Sequence, residues 1–413
     1  MVNNNLPDGA SKKPTDTKAR RRVLGIGSGA HFIHDGFTGV LILLLPVWQV
    51  EFALNLTQIG IVRSVYSGAM ALFQVPAGIF AERWGERLLL GVGTILTGLA
   101  YLTLGVASGF QSLLILLLIG GIGATVQHPL SSSLISKVYE QGPQRAALGT
   151  YNFFGDFGKM VLPFIAAIVI AGFDWRWVTT GAGFFGIIAG ILAFVLLFNI
   201  GEGGASPRAS VNASSNGTID NKIKDWGIKN SAGFGALSSI GIIDGAGRSG
   251  FLTFLPFLLI EKGAEVEIIG FALTLTFIGG ATGKFLCGML AERIGIIRTV
   301  ILTEAITGFG ILALLPLSLY WAMALLPLIG MGLNGTSSVL YGTVSDFVKP
   351  ERRARGFGLF YTLSVGGSAL APLMFGILSD FSSVTFTLIV VSLLTLTTIP
   401  ICKFLLKPLI GAK

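Results

Sequence analysis

Apolar residues in this chain gather into twelve long runs separated by short polar breaks. They lie at approximately 23–48, 58–80, 88–108, 112–136, 146–171, 178–199, 234–260, 266–288, 299–318, 322–346, 356–379 and 382–402. A helix needs about 20 apolar residues to cross the hydrocarbon core, whereas a barrel strand needs about 10 and alternates in polarity. The runs therefore predict an all-α integral membrane protein with twelve transmembrane helices. One break is longer than the others: residues 201–231 are rich in Gly, Ser and Asn and read as a flexible linker. The expected organisation is an N-terminal tail (1–22), a six-helix bundle (23–200), the linker (201–231), a second six-helix bundle (232–403) and a C-terminal tail (404–413).

The two bundles share a plan. Gly78-Ile79-Phe80-Ala81-Glu82-Arg83-Trp84-Gly85 recurs as Gly288-Met289-Leu290-Ala291-Glu292-Arg293-Ile294-Gly295, shifted by 210 residues. The same shift maps Pro46 onto Pro256, Gly60 onto Gly270, Arg145 onto Arg355 and Tyr151 onto Tyr361. Pseudo-symmetric repeats of this kind point to a transporter, with its ligand bound where the halves meet.

Composition identifies the solvent. Apolar residues make up 52% of the 413 and charged residues 12%, against about 25% charged in a soluble domain. The formal net charge of +8 is a matter of topology, because 23 of the 29 Lys and Arg residues fall on the side of the odd-numbered boundaries. The opposite loops hold only Arg176 and Lys262. By the positive-inside rule both termini are cytoplasmic, in a bacterial inner (plasma) membrane, and nucleic acid is not the reason for the basic balance. Cys287 and Cys402 have no spacing that suggests a disulfide or a metal site, and neither cofactor nor metal is expected.

The duplicated loop resembles the signature of the major facilitator superfamily. It reads Gly78, Glu82, Arg83, Gly85, Arg87 in the first copy and Gly288, Glu292, Arg293, Gly295, Arg298 in the second, with Glu in place of Asp in both. The resemblance spans the whole chain and implies the 6+6 fold working by alternating access. A carboxylate at one helix end is well placed to meet the positive N-terminal end of a neighbouring helix. Arg145 and Arg355 open helices five and eleven at equivalent positions. The family implies that such contacts latch the cytoplasmic side shut, so Gly78, Glu82, Arg83, Gly85, Arg87, Arg145, Glu292, Arg293 and Arg355 are gating candidates. Three shorter segments, Ala30-His31-Phe32-Ile33-His34-Asp35, Gln127-His128-Pro129-Leu130-Ser131-Ser132 and Gly155-Asp156-Phe157-Gly158, resemble the fosmidomycin-resistance branch. That branch implies proton-coupled export of small, often anionic antibiotics.

Charges inside a membrane cost at least about 2.5–3.5 kcal/mol each near the centre, yet this chain carries several. His31 and Asp35 are four apart in helix one and share a face, with His34 adjacent. All three histidines, His31, His34 and His128, lie in spanning segments, and histidine switches most readily near neutral pH. Asp156 and Lys159 in helix five, and Asp244 and Arg248 in helix seven, are spaced to neutralise one another. Asp35, His31, His34, Asp244, Asp156 and Glu304 are therefore proton-coupling candidates. Arg248, His128, Gln127, Lys159, Arg63, Asn334 and Tyr361 are substrate-binding candidates, Arg248 because guanidinium binds anions through paired hydrogen bonds. The expected positions of the remaining groups are bland ones. Arg63 and Lys284 reach toward their helix ends, Glu304 pairs with a loop charge, and Gln127 and Asn334 join helices.

The expected protein is a secondary active transporter, monomeric, whose partners are lipid, protons and a small anionic substrate. Export of an anionic or amphiphilic compound is the leading direction, and uptake of an organic anion such as a carboxylate or phosphonate is the runner-up. An intramembrane enzyme is a distant alternative, since neither a nucleophile elbow nor a His-Glu-x-x-His motif accompanies Ser131, Ser132 and Ser133. A channel is disfavoured because scattered charge pairs make no selectivity ring.

Overall fold

The computed structural model describes residues 17–140, 143–205, 227–349 and 353–405. Twelve spans result. Spans 1 to 3 are Thr17–Glu51, Leu56–Trp84 and Glu86–Leu104; span 4 is Phe110–Ala124 followed by Gln127–Val138; spans 5 and 6 are Gln144–Gly172 and Trp175–Ile200. Spans 7 to 11 are Ser231–Glu261, Val266–Ile294, Ile296–Leu314, Leu319–Phe347 and Arg353–Phe381. Span 12 is Val384–Leu396, extended by the turn Thr398–Ile401. Span 4 departs from the continuous helix expected over 112–136, because it breaks at Thr125 and Val126, just ahead of Gln127 and His128. Most of the linker, residues 206–226, lies outside the described residues.

Local chemistry sets the helix ends. Asn55 and Gln58 form a reciprocal cap at the start of span 2, Asn55 Oδ1 accepting from the Gln58 amide at 2.8 Å and Gln58 Oε1 from the Asn55 amide at 3.0 Å. Spans 2 and 8 stop at Gly85 (φ 85°) and Gly295 (φ 90°), the same position in each repeat and a backbone conformation that glycine adopts without strain. The Arg87 amide then donates to the carbonyl of Gly203 at 2.9 Å, which docks the first signature loop on the end of span 6.

Spans 1–6 and 7–12 each form a bundle, and the bundles meet mainly through spans 2 and 11 and spans 5 and 8. On the face opposite Thr17 and Leu405, one apolar core runs through both bundles, from Phe37–Trp48 of span 1 to Phe251–Leu259 of span 7. On the face that carries Thr17 and Leu405, the core is split in two. One cluster, including Val23, Ala81 and Leu197, belongs wholly to the first bundle; the other, including Phe234, Phe347 and Cys402, belongs wholly to the second. The halves are therefore closed on the opposite face and parted on the terminal face.

Small residues make the closure tight. A Cβ at Gly60 would overlap the Pro372 backbone of span 11, and one at Gly270 would overlap Ala167 of span 5. These two glycines are the repeat-related pair, so one device is used at both interfaces. Asp380, at the end of span 11, adds an electrostatic tie: its Oδ1 and Oδ2 accept from the amides of Leu56 (2.9 Å) and Thr57 (2.8 Å) at the start of span 2. A carboxylate on a helix N-terminus is favourable for charge and for the orphan amides alike. Hydrogen bonds to a charged group contribute about 1.5 kcal/mol or more net, so Asp380→Ala is expected to shift the equilibrium roughly tenfold toward a form open on this face. A lengthened spin-label distance between the exposed positions Val50 and Phe381 would register the shift, and an unchanged distribution would remove Asp380 from the gate.

Candidate functional site

The site begins with the close approach of spans 1 and 5. Gly36 and Gly39 of span 1 face Leu162 and Pro163 of span 5, while Gly155 and Gly158 of span 5 face the His31 ring and the Phe32 backbone. With no side chains between them, the helices come together and Asp35 meets Lys159. The Lys159 ammonium lies 2.5 Å from Asp35 Oδ2, whereas its partner one turn away, Asp156, is 3.8 Å distant. The expected internal pair of helix five is present, but Lys159 has a nearer partner in span 1.

Asp35 is the centre of the cluster. His31 Nε2 approaches Oδ2 at 3.2 Å, and His128 Nε2, from span 4, approaches Oδ1 at 3.4 Å. His31 stacks on Tyr151, with ring centroids 4.1 Å apart, and its Nδ1 lies 2.9 Å from the Tyr151 carbonyl oxygen. A carbonyl only accepts, so Nδ1 carries the hydrogen. Nε2 is thereby left facing Asp35 Oδ2, the oxygen that also takes the Lys159 ammonium, with no hydrogen bond of its own among the described residues. His31, Asp35 and His128 offer ligand atoms within 4.8 Å of one another, but a metal ion would have to share the carboxylate with the Lys159 ammonium.

The opposite half contributes two more pairs. Arg248 of span 7 lies 3.6 Å from Asp244 and donates to Ser337 Oγ of span 10 at 3.2 Å. Lys284 of span 8 does not extend to its helix end as expected. It crosses between the halves and donates to both oxygens of Asp156 at 2.7 Å. Tyr361 of span 11 is within electrostatic reach of Asp35, Lys159 and Arg248, and Lys284 is within reach of His128. Exposure has a pattern here: the side chains of Lys159, Arg248 and Lys284 are 24%, 27% and 33% exposed, those of Asp35, Asp244 and Asp156 only 5%, 6% and 13%. Cations face the opening and carboxylates stand behind them.

Other expectations are corrected or redirected. Gln127 is fully buried and joins helices, its side chain donating at 3.4 Å to the Gly27 carbonyl and its main-chain carbonyl accepting from the Tyr151 hydroxyl at 3.1 Å. Asn334 packs against Gly280 of span 8, again as a helix contact. Arg63 bends onto Ser67 (2.8 Å) beside Tyr66 and Tyr101 instead of reaching its helix end. Among the described residues Glu304 meets no loop charge: it is buried beside Thr336 and Thr398, in electrostatic reach of Asp244. His34 is buried next to the cluster, 6.4 Å from the His128 ring, with neither ring nitrogen hydrogen-bonded. Of the gating group, Arg83, Glu292 and Arg293 are exposed and make no ion pair among the described residues. Arg87 lies over the Phe198 ring at 4.8 Å. The side chains of Glu82, Arg145 and Arg355 lie outside the described residues. Sequence reasoning missed Asp380 and the role of Lys284, whose only signal was a charge inside a span.

The sequence profile of the Major Facilitator Superfamily matches residues 27–229 and 237–410. The chain belongs to that superfamily. It is 24% identical to the fosmidomycin resistance protein of Escherichia coli K12, over 91% of each chain, and 24% identical to the hexuronate transporter of Bacillus subtilis 168, over 89% of this chain and 90% of the relative. A point mutant of the nucleoside transporter NupG has the same fold, with a TM-score of 0.74 at 13% identity, covering 93% of this chain and 99% of that one. This superfamily member is thus a multi-pass membrane transporter of a small molecule.

Removing one partner of a buried ion pair leaves an uncompensated charge and costs about 3–5 kcal/mol, while removing both is far cheaper. Asp35→Ala is expected to lower the thermal stability of the purified transporter by about that much, and Asp35→Ala/Lys159→Ala to recover most of it. Additive losses in the double variant would show that the two residues do not pair.

Proposed function

We propose that this transporter couples the movement of a small organic anion to that of protons, with Asp35 as the proton site and Lys159 and Arg248 as anion ligands. The observation that carries the reading is the single carboxylate of Asp35, shared by an ammonium and two imidazoles at the inner end of the cleft. Asp244 and Glu304 form a second carboxylate group beside Arg248, available to exchange protons in the other half. With cytoplasmic termini in a bacterial plasma membrane, the parted face is cytoplasmic. Glu82, Arg83, Arg145, Glu292, Arg293 and Arg355 then close that face in the alternate state, while Asp380 holds the outer face in this one.

Linkage decides the direction that the geometry favours. Protonating Asp35 releases Lys159 to hold an anion, and an anion on Lys159 leaves Asp35 readier to take a proton. Each ligand strengthens the other, reciprocally. Exchange requires competition, whereas mutual reinforcement drives cotransport, so the ion pairs support proton-coupled uptake of an organic anion. Export in exchange for protons is the second reading, supported by likeness to the fosmidomycin resistance protein over 91% of the chain.

Purified protein in liposomes, a pH gradient and a panel of small carboxylates and phosphonates would separate these readings. Cotransport predicts accumulation of one anion in the direction of proton flow, loss of coupling in Asp35→Asn, and a KM at least about tenfold higher in Arg248→Ala, equivalent to about 1.4 kcal/mol. Anion driven against the proton flow would establish export instead. Coupling that survives in Asp35→Asn would move the proton site elsewhere.

A further inference from the structure

Among the described residues, Asp156 is the one carboxylate in the cleft held by ammonium groups from both halves of the protein. Lys284 of the second half binds both its oxygens at 2.7 Å, and Lys159 of the first half reaches Oδ1 at 3.8 Å. Its position is the apex of the cleft. On one side of it, spans 5 and 8 are joined by the Thr274 hydroxyl donating to the Met160 carbonyl at 2.7 Å and by Phe164 against Phe271 at 6.2 Å. On the other side, Phe153, Phe154, Phe285 and Met289 of the same two spans are exposed and the halves have parted. A purely structural tie would lie within the closed interface. This one stands at its edge, with both ammonium side chains partly exposed.

The arrangement reads as an anion site filled by the protein's own carboxylate. A carboxylate presents the same oxygen geometry as one end of an organic acid, and an ammonium is a compact charge on a flexible stem that changes partners by rotating side-chain bonds. Two ammonium groups already converge on a single oxygen, so a ligand group can take the place of Asp156 without separating the spans that carry them. We propose that Lys159 and Lys284 form an oxyanion subsite for a carboxylate, phosphonate or sulfonate group of the transported anion, with Asp156 as its displaceable internal occupant. The subsite deepens the proposed function and rests on its reading of an anionic substrate. It assigns Lys284 to substrate binding and makes the ligand a bridge between the halves: the anion ties span 5 to span 8 in the way Asp156 does. Asp35 remains the second partner of Lys159, so the same ammonium connects the subsite to the proton cluster.

Binding of methylphosphonate to the purified transporter in detergent tests this without any proton gradient, read by calorimetry and by thermal shift at constant ionic strength. Asp156→Asn removes the internal competitor and is expected to tighten methylphosphonate binding at least tenfold. Adding Lys284→Gln to that variant is expected to abolish the gain. No tightening in Asp156→Asn, or a gain that persists without Lys284, would overturn the subsite. If Asp156→Asn does not fold, Lys284→Gln alone must weaken methylphosphonate binding at least fivefold, and unchanged affinity would overturn the proposal equally. The outcome is separable from that of the transport experiment. Coupled transport with no gain in Asp156→Asn sinks only the subsite, and a gain without coupled transport sinks only the proton reading.

Discussion

A buried carboxylate is among the costliest things a membrane protein can contain unless cations surround it, and Asp35 of span 1 is buried. The rest of the site follows from meeting that cost. Spans 1 and 5 must come close enough for Lys159 to reach it, which is why glycines stand at 36, 39, 155 and 158. Span 4 must break ahead of His128, and Tyr151 must fix the orientation of His31 through its ring and its carbonyl. Each element compensates the charge, and together they leave it shared among groups able to gain or lose a proton.

The same requirement ties chemistry to motion. Lys159 links Asp35 to Asp156, and Asp156 is held by Lys284 from the other half, so the charge chain runs from the interior of the first bundle to the edge of the interface. Beyond that edge the apolar core divides in two, while behind it a single core spans both bundles. The pairings therefore form one connected series that reaches the place where the halves part. Packed interfaces of this kind have discrete arrangements and do not deform continuously, which suits a carrier that rocks between two states.

Pseudo-symmetry holds for the backbone and fails for the charges. Gly60 and Gly270 do the same work at the two interfaces, and Gly85 and Gly295 end spans 2 and 8 alike. Yet the shift of 210 carries Asp35 onto Gly245, Asp156 onto Gly366, Lys159 onto Ala369, Arg248 onto Thr38 and Lys284 onto Gln74. The scaffold is duplicated and the chemistry is divided, with the His–Asp–Lys cluster in one half and Arg248, Asp244 and Glu304 in the other.

Twelve spans, the 6+6 plan and the pairing of His31 with Asp35 are legible from residue order, because hydropathy and the 3.6-residue period of a helix are local properties. So is the internal tie of Asp244 to Arg248, one turn apart. Sequence distance ranks the near partner first, and so pairs Lys159 with its neighbour in helix five and sends Lys284 to the helix end. The structure keeps the loose pair of Lys159 with Asp156 but gives Lys159 a nearer partner in Asp35, and it gives Lys284 to Asp156, across 124 and 128 positions. Asp380, 324 positions from the helix it caps, leaves no local signal at all. Sequence alone determined which segments cross the membrane and which charges are carried into it. Which charge meets which, and which face is open, was decided only by the packing of helices, because a long side chain selects its partner by proximity in space and not by position along the chain.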